Sequence, residues 1–388
     1  MRASIILVSL AIVISIKILI LPPITDLLEL EKCPACYGTS MCPAFATEHI
    51  IRDTSSIDAI IFNMLGAKNI MLGLYLNKKV ILKKLGHNSE LDLLDKNICL
   101  MTDLVPGCNV SNAISQHDNL LSELRQLVTK SFTSSLRCPS SVHLENLLNF
   151  HENSKNDSKV FQANLWTVVS VNPEPLIMQV LRQEDGWPVA KYLGACGRII
   201  VEEYVGQMLY TYYAAPWIQR ASFAHQLLVA AYNFTYSHLN FSFYLTDISP
   251  DNIAVDANGR IKFVDLENVV VVDKNIPEED KPPIWDTPHV SEIFDCEGNG
   301  CFAFSSDDIC EHRLSDHNIY AVCMTLLHPE TAPETLPGGL LHNTPPEHAH
   351  VMQLIEECAY SENRFLAANK LMIALAHLTQ QHEELQYY

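Results

Sequence analysis

Ser4 to Leu21 is apolar except for its serines and Lys17. It lacks the polar stripe that a helix packed on a soluble core would carry. Following Arg2, such a run reads as the h-region of a secretory signal or as a short signal anchor. Pro22 and Pro23 come next and no small-residue cleavage site follows, so the pattern leans to an uncleaved anchor over residues 1–24. Beyond a Cys-rich stem at 25–57 come three apolar runs, Ile60 to Leu65, Ile70 to Tyr75 and Val80 to Leu85. Turn residues Gly66 to Asn69 and Leu76 to Lys79 separate them, which predicts a small antiparallel meander. Residues 87–160 are rich in Asn, Ser and Asp and read as a disulfide-bound insertion, with helical spacing over Ala113 to Val128. From Asn172 the pattern turns helical, with Asn172 as the cap and Pro173 in the first turn. Val189 to Leu193 and Arg198 to Tyr204 are then short strands, and Ala221 to His238 is a long apolar helix. Ile253 to Val255 and Ile261 to Val264 make a hairpin through Asp256 to Gly259, and from about residue 315 the chain is mainly helical. Strands first and helices afterwards predict an α+β chain of two lobes, residues 58–205 and 206–388.

Composition narrows the class. Of 388 residues 48% are hydrophobic and 18% charged, enough for a packed core and too apolar for disorder. The formal charge of −19 excludes a duplex nucleic-acid binder, which needs Lys and Arg against phosphate. Twelve Cys point to an oxidising compartment, where most would pair. Cys33-Pro-Ala-Cys36 also fits half a zinc site or a redox pair, but no second C-x-x-C recurs, so disulfides are favoured. Four N-x-S/T sequons start at Asn109, Asn156, Asn233 and Asn240; the first two sit in polar, loop-like sequence and are the better acceptors. His342, His348 and His350 with Glu347 lack a zinc-binding pattern and read as surface histidines.

Candidate chemistry is concentrated in Leu245-Thr-Asp-Ile-Ser-Pro-Asp-Asn252 and Ile261-Lys-Phe-Val-Asp-Leu-Glu267. Phosphoryl transfer needs a carboxylate to orient the attacking hydroxyl, with an amide oxygen and a second carboxylate to hold metal against the phosphates. Asp247, Asn252 and Asp265 supply those types, the last at the end of a hairpin strand. The set resembles the protein-kinase catalytic loop H-R-D-L-x-x-x-N and the following D-F-G. By that resemblance Asp247 is the catalytic base, and Asn252 and Asp265 are the metal ligands. Val80-Ile-Leu-Lys-Lys-Leu85 looks like the V-A-I-K strand and nominates Lys83 for the nucleotide phosphates, with Lys84 the alternative. Arg198 to Val205 resembles the strand and hinge that carry the adenine, with backbone groups around Glu203 and Val205. Glu174 falls where the kinase αC helix supplies the ion-pair Glu, and Asp316-His-Asn-Ile-Tyr-Ala-Val322 resembles the helix whose Asp braces the catalytic loop.

The hydrophobic N-terminus, Leu193-Gly-Ala-Cys-Gly197, Ala215-Pro-Trp217, Val264-Asp-Leu-Glu-Asn-Val269 and Asp316 to Cys323 look like the secretory-pathway divergent protein kinases, above all the deleted-in-autism (divergent protein kinase domain 2) group. That resemblance implies a bilobal protein-kinase-like fold with a small β-rich N-lobe, a disulfide-bound insertion and a helical C-lobe. It implies the Golgi or endoplasmic reticulum lumen or secretion, and ATP with Mg2+ or Mn2+. The expected partner is a luminal or extracellular protein substrate, with a glycan hydroxyl as second choice, or a cell-surface receptor. No nucleic acid is expected, and a membrane only through the N-terminal segment. The sequence also departs from the kinase pattern. Leu245 and Thr246 replace His and Arg, Ser249 stands where a phosphate-facing Lys belongs, Glu267 replaces the Gly of D-F-G, and no Gly-rich loop is present. These departures motivate a second expectation, a catalytically impaired pseudokinase acting as a secreted, receptor-binding signalling or trafficking factor. Cys296, Cys301 and Cys310 after Asp265 are expected to fix the activation segment by disulfides, with Cys323 as a partner.

Overall fold

The computed structural model describes residues 23–65, 69–102, 105–116, 146–148, 150, 159–291, 304–329 and 336–386. The apolar run Ser4 to Leu21, the turn residues Gly66 to Lys68, most of Ala113 to Val128, Asn156, Cys138, Cys296 and Cys301 lie outside them. The chain divides into two compact units. The first comprises Met1–Leu127, His151–Gln179 and Lys191–Tyr204, and the second Val128–Phe150, Val180–Ala190 and Val205–Tyr388.

The first unit is built on a five-stranded antiparallel sheet of order β1-β2-β3-β5-β4. Its strands are β1 (Ile50–Arg52), β2 (Ile70–Tyr75), β3 (Lys78–Lys84), β4 (Tyr192–Cys196) and β5 (Ile199–Glu203). Leu76 and Asn77, both at positive φ, turn β2 into β3, the conformation that matches strand twist in a two-residue hairpin. The expected strand at Ile60 to Leu65 is instead part of a helix. The helices in chain order are α1 (Ile24–Leu27), α2 (Cys42–Ala46), α3 (Ile57–Leu65), α4 (Asn88–Met101), α5 (Val110–Gln116), α6 (Lys159–Ser170) and α7 (Glu174–Val180). A short apolar run carries no periodicity that separates a strand from a buried helical turn. In α3, Asn63 shows what the helix does: its side chain donates to the Asp53 and Leu72 carbonyls and accepts the Leu72 N–H, fastening α3 to β2.

Residues 25–57 are integral to this sheet. Leu28, Met41, Phe45 and Ile50 pack with Met71, Val80, Leu82, Ile199 and Val201 in one buried cluster. Cys42 pairs with Cys196, and Cys33 with Cys36. Gly197, at φ +61, lies so close to the Leu28 carbonyl that an added Cβ would sit 1.9 Å from it. That carbonyl accepts the Arg198 N–H. The start of the 87–160 segment is integrated too. In α4, Leu91, Leu94 and Ile98 are buried, and the Glu90 side chain accepts the His87 N–H at 2.6 Å, a capping contact. Cys99 pairs with Cys108.

The second unit contains two small sheets. In one, β7 (Phe241–Leu245) pairs antiparallel with β10 (Val269–Asp273). In the other, β6 (Gln207–Met208), β8 (Ile253–Val255) and β9 (Ile261–Phe263) are adjacent in that order. The hairpin from β8 to β9 is the one the Asn-Gly turn predicts, with Gly259 at φ +72. Around them are α8 (Trp217–Tyr232), α9 (Ser306–Cys310), α10 (His317–Ala321), α11 (Ala349–Tyr360) and α12 (Arg364–Gln386). The long helix expected at Ala221 to His238 starts earlier, after Pro216, and ends in a wider π-type turn over Asn233–Ser237. Helix α12 packs on α8 and α11. Among the described residues no helix is long and apolar enough to cross a membrane.

Cys323 pairs with Cys358, joining the turn after α10 to α11. It is therefore not the partner expected for the cysteines after Asp265. Cys310 is disulfide-bonded as well. Among the described residues no cysteine is free.

Candidate active site

In the first unit, strand alternation decides between the two candidate lysines. Lys83 and Lys84 point to opposite faces of β3. Lys84 joins a network on one face, where Glu29 bonds both Lys84 and Arg198, and Asp95 bonds Arg198 and, at 2.8 Å, Lys32. These pairs hold the N-terminal segment and α4 against β5. Lys83 is on the other face, its Nζ 2.8 Å from Glu174 Oε1. Glu174 begins α7, and its backbone N–H donates to Asn172 Oδ1 at 2.9 Å, the cap that Asn172 was expected to provide. The side chains of Lys83 and Glu174 are 8% and 1% exposed. The spatial partners assigned from sequence, ninety-one positions apart, thus meet.

A second carboxylate reaches the same ammonium. Glu202 Oε1 lies 3.3 Å from Lys83 Nζ. Sequence reading missed it, although the register contains the signal: Lys83 faces Ile200 on β5, so Glu202, two residues on, shares its face. Glu203 engages its backbone N–H with the Lys191 carbonyl at 2.9 Å, and its carboxylate accepts the Lys191 N–H at 3.1 Å. Val205, half-buried, follows β5 outside regular structure.

The loop with the acidic and amide candidates belongs wholly to the second unit. β7 is buried along its length and ends at Leu245. Thr246 donates through its N–H and its hydroxyl to the Asn268 carbonyl, at 3.0 and 2.7 Å. The start of the loop is thereby tied to the residues just after Asp265. Asn252 closes the loop from within: its Nδ2 donates to the Asp247 carbonyl at 3.1 Å, and its own carbonyl accepts the Val264 N–H at 3.0 Å. Asp247, Asn252 and the approach to Asp265 are thus joined by two hydrogen bonds. Asp247 is an exposed residue, while Asn252 and Asp265 are half-buried. The Asp247 carboxyl is pushed above the usual carboxylate range, first by lost solvation and then by the charge of Asp265; the Asn252 side chain pulls it the other way.

Carboxylate and amide oxygens are the donor types that a hard divalent cation takes, although among the described residues no group of three or more His, Cys, Asp or Glu is gathered as a metal centre. Among the described residues no ion pair links Asp247, Asp251 or Asp265 to a basic side chain. Mutual repulsion between Asp247 and Asp265 is what such an ion relieves. With Nδ2 engaged, Oδ1 is the atom through which Asn252 would meet it.

The brace under this loop differs from the expected one. Asp316, 1% exposed, accepts the Ser291 N–H at 2.7 Å and Arg364 Nη1 at 2.5 Å, and Arg364 lies over the Tyr320 ring. Its next two neighbours hold the strand. His317 Nε2 donates to the Leu245 carbonyl at 2.9 Å. Asn318 accepts the Leu245 N–H at 3.0 Å and donates to the Phe243 carbonyl at 2.7 Å. Asp316 therefore fixes the segment after β10, while His317 and Asn318 fix the strand that delivers Asp247. Burial lowers the His317 pKa to about 4, so the imidazole is neutral.

Among the glycosylation candidates, Asn109 is exposed and caps α5 by accepting the Asn112 N–H. Asn233 and Asn240 are half-buried, and the hydroxyl residues of their sequons, Thr235 and Ser242, are fully buried.

Comparison with known proteins bears on the same regions. Residues 165–361 match the family model described as the protein-kinase domain of FAM69. The human protein named Divergent protein kinase domain 2A is 35% identical over 378 residues, covering 91% of this chain and 88% of its own length. The chain belongs to the divergent protein kinase domain 2 family. The mouse 2A protein is equally similar, at 35% over 378 residues, with 91% of this chain and 88% of its own length covered. Human Divergent protein kinase domain 2B is 27% identical over 318 residues, covering 77% and 72%. The kinase-like fold class follows from the family, and the small sheet-rich unit and the helical unit are in keeping with it.

Proposed function

We propose that this divergent kinase-like chain is an ATP- and divalent-metal-dependent phosphotransferase of the secretory pathway, acting on hydroxyls of luminal or extracellular proteins. The observation that carries the reading is the Asn252 side chain bonded to the Asp247 carbonyl, with the Asn252 carbonyl bonded to Val264 beside Asp265. It holds in one place the three residue types that metal-assisted phosphoryl transfer requires. In this reading Asp247 accepts the proton of the attacking hydroxyl. Asn252 and Asp265 hold the metal, which neutralises phosphate charge, and Lys83, fixed by Glu174, meets the nucleotide phosphates. The raised pKa of Asp247 makes it a better proton acceptor than an ordinary aspartate. Four disulfides among the described residues support an oxidising, secretory setting.

The test uses protein secreted from cultured cells. Its melting temperature should rise when ATP is added with Mn2+ or Mg2+, and the rise should vanish in Asp265→Ala and in Lys83→Ala. Asp247→Asn should still bind the nucleotide but transfer no phosphate. Absence of any nucleotide-dependent rise in wild type, with either metal, refutes the reading and favours a secreted binding module.

A further inference from the structure

We infer that Glu202 is a positioning residue that sets how tightly Lys83 holds a nucleotide's phosphates, by competing with them for the ammonium. The inference rests on the nucleotide-site reading above. Lys83 Nζ lies between two acids, 2.8 Å from Glu174 Oε1 and 3.3 Å from Glu202 Oε1. Both carboxylates are 1% exposed and the lysine 8%, so water screens the three charges weakly. Glu174 comes from a helix and Glu202 from the neighbouring strand, so the two hold the ammonium from independent elements. A single Lys–Glu pair would offer phosphate a nearly neutral partner with donors to share. A second carboxylate adds negative charge at the point where an anion must arrive. The site then discriminates against bare polyphosphate and favours a polyphosphate whose charge is already covered by a divalent cation. Glu202 thus sets affinity for the phosphate part of the ligand, and triphosphate, which carries no base, reads that effect directly.

The experiment separates those parts with three probes, ATP, inorganic triphosphate and adenosine, titrated calorimetrically into wild type and Glu202→Gln at one fixed Mn2+ concentration. Removing one unit charge should tighten ATP and triphosphate by at least about tenfold, the effect of a charge roughly 10 Å from the phosphates at an effective dielectric of about 20. Adenosine, which carries no phosphate, should gain far less than triphosphate. Wild type should also lose more triphosphate affinity than the variant when Mn2+ is lowered. Glu202→Met, similar in length and uncharged, gives the same comparison should Glu202→Gln fold poorly. Unchanged or weaker triphosphate binding in folded variants overturns the inference, because a merely structural glutamate would act in that direction. A gain confined to adenosine also overturns it. Wild-type protein that binds neither ATP nor triphosphate overturns the nucleotide reading itself and removes the basis of the inference.

Discussion

Replacing Asn318 with Ala should unfasten the strand that carries Asp247. Asn318 is 1% exposed and its amide bonds both backbone groups it reaches on β7, the Leu245 N–H at 3.0 Å and the Phe243 carbonyl at 2.7 Å. Alanine leaves those two buried groups without that partner. Each such loss costs about 1–3 kcal/mol, so the expected destabilisation is roughly 3 kcal/mol. For a unit of this size that corresponds to a melting temperature lower by about 6–12 °C. Asn318→Asp keeps an acceptor for Leu245 but sets a carboxylate against the Phe243 carbonyl, and should cost at least as much. Differential scanning calorimetry on the purified protein gives the number directly. Asp247 follows Leu245 by two residues, so the rise in melting temperature that the proposed function expects from metal and nucleotide should also shrink. A melting temperature within about 1 °C of wild type in Asn318→Ala would refute the reasoning, because it would mean that β7 is held without this amide.

Arg364→Ala strands the Asp316 carboxylate at 1% exposure and should cost about 3–5 kcal/mol by urea denaturation, with Asp316→Asn in the same chain recovering part of the loss. His317, lowered from 6.5 to about 4 by burial, favours the fold only while neutral. Its contribution is intact above pH 6.5 and is lost as pH falls through 6.5 toward 4, by about 3 kcal/mol at the low end. The stability–pH slope over that window should therefore flatten in His317→Gln, which cannot titrate. Converting Cys42 and Cys196 together to Ala removes a link between positions 154 residues apart and should cost about 5 kcal/mol on chain-entropy grounds. Equal melting temperatures for that double variant and wild type would contradict this estimate.

What was legible in the sequence was local and periodic. Spacing nominated Asp247, Asn252 and Asp265, and the Asn-Gly turn gave the β8–β9 hairpin that carries the approach to Asp265 next to Asn252. The V-A-I-K resemblance narrowed the lysine to two, alternation along β3 sends those two to opposite faces, and the structure shows which face is which by placing Glu174 beside Lys83 and Glu29 beside Lys84. Residues that act across elements were not legible. Glu202 carries no motif and matters only through its register with β3. His317 and Asn318 stood beside the Asp that the kinase pattern singled out, yet they bond the strand before the catalytic loop while Asp316 serves Arg364 and Ser291. Cysteine pairing was equally closed, since spacing cannot say that Cys323 would find Cys358. The run at Ile60 to Leu65 was misread for a different reason, being too short for its period to tell helix from strand.

The bond from Cys42 to Cys196 closes a covalent ring around nearly everything between them in the first unit. A single peptide cut anywhere inside that ring would leave the molecule in one piece. It would migrate as one band on a denaturing gel without reductant and as two with it, so proteolytic processing would pass unseen on a gel run only under oxidising conditions.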